Sequence, residues 1–147
     1  MSGQARWFMP FIVLIFLTVG CSYEEQSQSG EMPEMIKVQL MIPDKASIKE
    51  NVSLRIKLTQ GDQPVNDADD VQFQVWNEQD EPEAPSLEQG MMSAEELEAR
   101  GATTAKSVGD GMYEVVYTFQ KPGVYVIQAH VTSGAMHTMP RTKVTVE

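Results

Sequence analysis

The sequence holds one cysteine, Cys21, among 147 residues, so no disulfide can close within the chain and the fold must rest on an apolar core. Histidines number two, His130 and His137, and 11 lysines and arginines face 21 aspartates and glutamates, for a net charge of −10. So acidic a chain repels nucleic-acid phosphates, and anionic headgroups would push it away, so it is not expected to reach a lipid surface by electrostatics. Catalytic signatures are missing as well. There is no Gly-x-Ser-x-Gly, no His-Glu-x-x-His and no phosphate-cradling glycine loop, and the carboxylates fall in loops with nothing to desolvate them. The expectation is a protein that is not an enzyme. Long apolar runs are also lacking: Trp7 to Val19 spans 13 residues, interrupted by Pro10 and Thr18, short of the roughly 20 that a spanning helix needs.

That run has the length of a secretory signal's apolar region, with Arg6 as its positive flank. It closes on Leu17-Thr18-Val19-Gly20-Cys21, which resembles the lipobox of bacterial lipoproteins. The resemblance implies a signal peptide over residues 1–20, removal of that segment, and lipidation (palmitate) of Cys21, which anchors the protein to the outer side of a cell membrane. The remaining chain, 21–147, loses Arg6 and keeps ten cations against 21 carboxylates, a net charge of about −11. Residues 22–33 are rich in Ser, Gln and Glu and poor in apolar side chains, so 21–34 reads as a tether.

From residue 35 the pattern alternates. Ile36, Val38, Leu40 and Ile42 share one face; Val52, Leu54, Ile56 and Leu58 alternate with Ser53, Arg55, Lys57 and Thr59; Val71, Phe73 and Val75 alternate with Gln72, Gln74 and Trp76. Such period-two runs are strands with one buried face. Met112 to Phe119, Val124 to Thr132 and Thr142 to Val146 add three more, and Ala102 to Val108 is a weaker seventh. Turn chemistry separates them at Pro43-Asp44, Gly61-Asp62-Gln63-Pro64, Gly109-Asp110-Gly111 and Pro122-Gly123. About seven short strands without a long helix predict an all-β fold, an immunoglobulin-like antiparallel β-sandwich over 35–147. Asn77 to Arg100 is acidic and unpatterned, but Ser93-Ala94-Glu95-Glu96 is a capping box and Gly101 a stop, so a short helix is expected inside this long connection. No Asp-x-Asp-x-Asp-Gly spacing supports calcium at Asp67, Asp69 and Asp70 or among the carboxylates of this connection.

The ordered set Gly61-x-x-Pro64-Val65-x-x-Ala68, Val71 to Trp76, Gly109-x-Gly111-x-Tyr113, Pro122-Gly123-x-Tyr125, Ala129-His130-Val131 and Met136-His137-x-Met139-Pro140 resembles the YtkA-like domain. The resemblance covers roughly 35–147. It implies a small immunoglobulin-like sandwich of the kind carried by lipoproteins of the Gram-positive cell surface, related to FixH-type proteins, with copper handling as the associated role. The family pattern also places a His shortly before the Gly-x-Gly-x-Tyr turn. Thr103 to Asp110 has none, which leaves Met91 and Met92 as thioether substitutes.

Both histidines fall within eight residues, together with Met136 and Met139, and imidazole plus thioether is a donor set that selects Cu(I). Alternation from Val124 turns Tyr125, Ile127, Ala129 and Val131 inward and Gln128 and His130 outward, so His130, Met136, His137 and Met139 are expected to form a surface metal site if a hairpin joins them. The alternative is that the methionines pack the sandwich end and the histidines are solvated. Trp76 falls outward at a strand end, beside an outward Val126, where it serves either as a contact for a protein partner or as an end cap of the domain. Two functions follow: a membrane-anchored copper-binding accessory or chaperone-type protein, or a metal-free interaction module that docks a protein partner of the membrane or envelope.

Overall fold

In this computed structural model residues 34–80 and 92–147 are described; the signal segment, Cys21, the tether up to residue 33 and residues 81–91, Met91 included, lie outside them. Alternation becomes strands in chain order: β1 (Ile36–Met41), β2 (Lys45–Ala46), β3 (Asn51–Gln60), β4 (Gln63–Pro64) and β5 (Asp70–Asn77). A single 3-10 turn, Glu78–Asp80, follows, and then α1 (Ala94–Ala99). The chain continues with β6 (Thr103–Thr104), β7 (Lys106–Gly109), β8 (Met112–Thr118), β9 (Gly123–Ser133), β10 (Met136–Thr138) and β11 (Arg141–Val146). Two sheets result. The first has the order β1-β3-β8-β7, with β4 on β3; the second has β2-β11-β9-β5-β6, with β10 on β9. All pairings are antiparallel except β2 with β11. The architecture is an immunoglobulin-like β-sandwich. Among the described residues no helix is long and apolar enough to cross a membrane.

The core lies between the inner faces. Leu54, Ile56, Leu58, Tyr113 and Val115 from the first sheet meet Val71, Phe73, Ile127, Ala129, Val131 and Val144 from the second, all buried. These are the apolar positions of the alternating runs. The expected strand 102–108 is divided: β6 pairs with β5 in the second sheet and β7 with β8 in the first. Ala105 between them donates its N–H to Val71 O at 2.8 Å, so the chain changes sheets there without losing that backbone bond.

The turn residues of the sequence set are structural. Gly111, at φ +71°, donates to Asn66 Oδ1 at 2.7 Å and accepts from Leu58 N at 2.8 Å. A Cβ there would strike the Leu58 carbonyl oxygen, so only glycine fits. Two residues on, the Tyr113 hydroxyl accepts from Ala68 N, which ties the loop after β4 to β8.

The capping box forms as the sequence predicts. Ser93 Oγ accepts from Glu96 N at 3.3 Å, Glu96 Oε2 accepts from Ser93 N at 2.8 Å, and Gly101 ends the helix at φ +91°. α1 buries Leu97, which is 2% exposed, and covers the outer face of the second sheet. Gln72 Nε2 donates to Ala94 O at 3.0 Å and Gln74 Nε2 to Arg100 O at 3.4 Å, which holds the helix over β5.

Candidate functional site

That cover changes the environment of the outward residues. His130 stands on the outer face of β9, as alternation predicts, but it is 1% exposed, and Gln128 and Val126 beside it are buried at 2% and 3%. For His130 the expected surface position is therefore corrected to a buried one, while Met136, His137 and Met139 are half-buried, and Val126 is no part of an exposed patch. Period two reports which face a side chain takes; it cannot report that a helix elsewhere in the chain will lie over that face.

Register assembles the site. His137 pairs with Thr132 in β10–β9, and Arg141 pairs with Gln128 in β11–β9. One register runs through both, bridged by Ala129 N donating to Pro140 O at 2.9 Å, so Met139 falls opposite His130. On β5, Asp70 lies opposite Thr132, Gln72 opposite His130 and Gln74 opposite Gln128. His137, Thr132 and Asp70 thus form one cross-strand row, with Met139, His130 and Gln72 in the next. The two imidazole centroids are 6.3 Å apart. Met136 pairs with Ser133, and strand parity turns it to the other face. The structure brings His130, His137 and Met139 to one face and separates Met136 from them. Met92 is half-buried, two residues before α1 begins.

The hydrogen bonds leave bare nitrogens. His130 Nε2 lies 3.3 Å from Gln74 Oε1, a carbonyl that can only accept; Nε2 therefore carries the proton and Nδ1 the lone pair. His137 Nδ1 lies 2.9 Å from Thr132 Oγ1, and in the tautomer that donates to this hydroxyl the Nε2 lone pair is bare. Nδ1 of His130 and Nε2 of His137 are both buried without a partner, as are Gln72 Oε1, Gln128 Nε2 and Trp76 Nε1. All five of these atoms belong to side chains on the outer face of the second sheet. Burial, and then the neighbouring His137, push His130 down to about 4, so it is a neutral imidazole at neutral pH. Asp70 is raised, first by burial and then by Glu98.

Among the described residues no three His, Cys, Asp or Glu side chains gather as a metal site. Among the described residues, the thioether that register sets beside the two imidazoles is that of Met139. Two imidazoles on one ion place each centroid ~3.2 Å from it, and so up to ~6.4 Å apart in the near-linear limit. The observed 6.3 Å fits that two-coordinate limit; a third donor at trigonal angles needs the centroids about 5.5 Å apart, so the two rings would have to close by a little under about 1 Å to admit one.

Trp76, weighed as a partner contact, is half-buried opposite the buried Val126, with its N–H enclosed. The residues that sequence reasoning missed are Gln72, Gln74, Thr132 and Asp70. Gln72 and Gln74 stood out only as polar positions of an alternating strand, and nothing in that pattern signals burial.

The YtkA-like family profile matches residues 31–130. The chain belongs to the YtkA-like family. The match spans the motif loops and the strands up to His130, and the segment with Met136, His137 and Met139 follows it. No curated protein matches the sequence at a significant level. Among solved structures, an engineered protein is similar at 12% identity and TM-score 0.51, with 78% of this chain and 21% of that one covered. The endo-beta-1,4-mannanase from Thermotoga petrophila is similar at 13% and 0.50, over 81% of this chain and 21% of that one. The chain thus spans about a fifth of the length of either. The PmoD soluble domain from Methylocystis sp. ATCC 49242 (Rockwell) has 16% identity and TM-score 0.47, covering 78% and 92%. These likenesses concern the sandwich fold of the YtkA-like domain alone.

Proposed function

We propose that this YtkA-like protein is a lipid-anchored, extracytoplasmic binding protein, not an enzyme, that holds Cu(I) through His130 Nδ1, His137 Nε2 and the Met139 thioether. The observation that carries the reading is the pair of buried, unpartnered imidazole nitrogens on one sheet face, with ring centroids 6.3 Å apart and a methionine in register beside them. An unpaired polar atom in the interior is costly, and a bound cation would satisfy both at once. Soft sulfur and neutral nitrogen suit Cu(I), and among the described residues no third His, Cys, Asp or Glu joins them as Zn2+ would favour. Gln74 and Thr132 would orient the two rings by their second nitrogens. Anchoring rests on Cys21 after Gly20 and the short apolar run, and it would hold the domain near the membrane, within reach of a membrane or envelope protein that could receive the ion.

The deciding experiment is anaerobic competition between the protein and a Cu(I) chelator, for the wild type and for His137→Ala with Met139→Leu. The double change should weaken Cu(I) binding at least ~100-fold, about 2.7 kcal/mol, with an unchanged far-UV spectrum. Indistinguishable curves would reduce the cluster to packing and leave a metal-free interaction module.

A further inference from the structure

The first sheet has an outer face of its own, and the strand positions on it carry more cations than carboxylates, unlike the protein as a whole. Lys37 of β1, Arg55 and Lys57 of β3 and Lys106 of β7 stand on it, against a single carboxylate, Glu114 of β8. Glu114 is taken by Arg55 at 2.8 Å, and among the described residues no ion pair holds Lys37, Lys57 or Lys106. Between the cations stand exposed apolar side chains: Met41 at 42%, Val108 at 56% and Val116 at 59%. Met41, Arg55, Glu114 and Lys106 form one row across all four strands, and Val108 and Val116 border a shallow groove of about 300 Å3 next to it. Carboxylates border the face: Glu34, Asp62 and Asp110 at one end, away from Met41 and Val116, and Glu50 just before β3 at the other.

We infer that this face is where the domain meets the membrane, its lysines on anionic headgroups and Met41, Val108 and Val116 at the headgroup boundary. The inference rests on the anchoring of Cys21 proposed above. Only residues 22–33 separate that cysteine from the described chain, a reach of at most ~40 Å, and the chain then enters the domain through β1, the edge strand of this sheet. A domain held so near a surface meets it at a high effective concentration, so a weak face-specific attraction suffices to orient it. Net charge argues the other way only if charge is spread evenly. Sheets pack ~10 Å apart, which is about one Debye length in physiological salt, so the acidic residues of α1 and β5 beyond the second sheet are largely screened from a surface touching the first. With that orientation, the outer face of the second sheet, which carries His130 and His137, points away from the bilayer.

The test holds the full chain on vesicles through Cys21, by its own acyl groups or by coupling the thiol to a maleimide lipid. Lysines are then labelled with an amine-reactive reagent and read by mass spectrometry. On vesicles half phosphatidylglycerol, Lys37, Lys57 and Lys106 should react several-fold more slowly than on phosphatidylcholine alone, and Lys143, on the opposite sheet, should react equally on both. Salt at 0.5 M, or Met41→Glu with Val116→Glu, should abolish the protection. Uniform labelling of all lysines on both vesicles would overturn the inference. So would protection that arises only on adding an acidic polypeptide, which would assign the face to a protein partner. Chemical coupling keeps this result separate from failure of the anchor, which metabolic lipid labelling reads by itself.

Discussion

Tyr113 and Ala68, 45 residues apart, are joined by a 3.0 Å hydrogen bond from the Ala68 N–H to the tyrosine hydroxyl. Both belong to the sequence set that marks the family, so part of that set maintains the sandwich and does no chemistry. Tyr113→Phe leaves the Ala68 N–H without its partner and should cost about 1–3 kcal/mol in urea unfolding. Cu(I) affinity should stay within about threefold of the wild type, since the site lies on the other sheet. A stable variant with lost affinity would tie the tyrosine to the site instead.

The methionines separate by parity. Met139→Leu removes the thioether opposite His130 and should weaken Cu(I) at least ~10-fold, while Met136→Leu should change it less than about threefold. Chelator competition on the two single variants measures both, and the reverse order would mean that the register inferred through Pro140 is wrong.

Acid should destabilise the metal-free protein in a defined window. His130 titrates near 4 when folded and near 6.5 when unfolded, so below 6.5 the unfolded chain binds more protons. Its contribution is complete above pH 6.5, falls as pH drops towards 4, and amounts to roughly 3 kcal/mol at most. Asp70 acts in the opposite sense, because a carboxyl raised by folding gains stability as it protonates. Urea midpoints at pH 7 and pH 4.5 for wild type and His130→Gln check this. An equal acid loss in both proteins would place the effect elsewhere.

Leu97 is the buried side chain of α1. Leu97→Ala should cost about 2–5 kcal/mol, a core-like value for a residue in a six-residue helix. As α1 loosens, the His130 imidazole should become hydrated and its NMR-observed titration should move up towards 6.5. Arg55→Ala on the uncovered sheet should change stability by less than about 0.5 kcal/mol.

Cys21→Ser removes the thiol that would carry the lipid. Radiolabelled palmitate should no longer be incorporated and the protein should leave the membrane fraction. Continued labelling of the serine variant would rule out Cys21 as the anchor.

Alternation in 36–42, 52–58 and 71–75 was enough to define the strands and their inner faces, because inner residues repeat every second position and the core between the sheets rejects anything polar. The capping box at Ser93 and the stop at Gly101 were legible for the same reason: their hydrogen bonds close within a few residues. What tertiary structure decided is where these pieces meet. α1 lies over Gln72 and Gln74 on the face where His130 is buried, and the shared register of β10 and β11 sets Met139 across from it while Met136 turns away. The division of charge between the two outer faces is likewise invisible to a net charge of −10. A period records which side of a strand a residue takes; only contacts between segments distant in sequence determine what lies against that side, and burial, bare nitrogens and local charge all follow from those contacts.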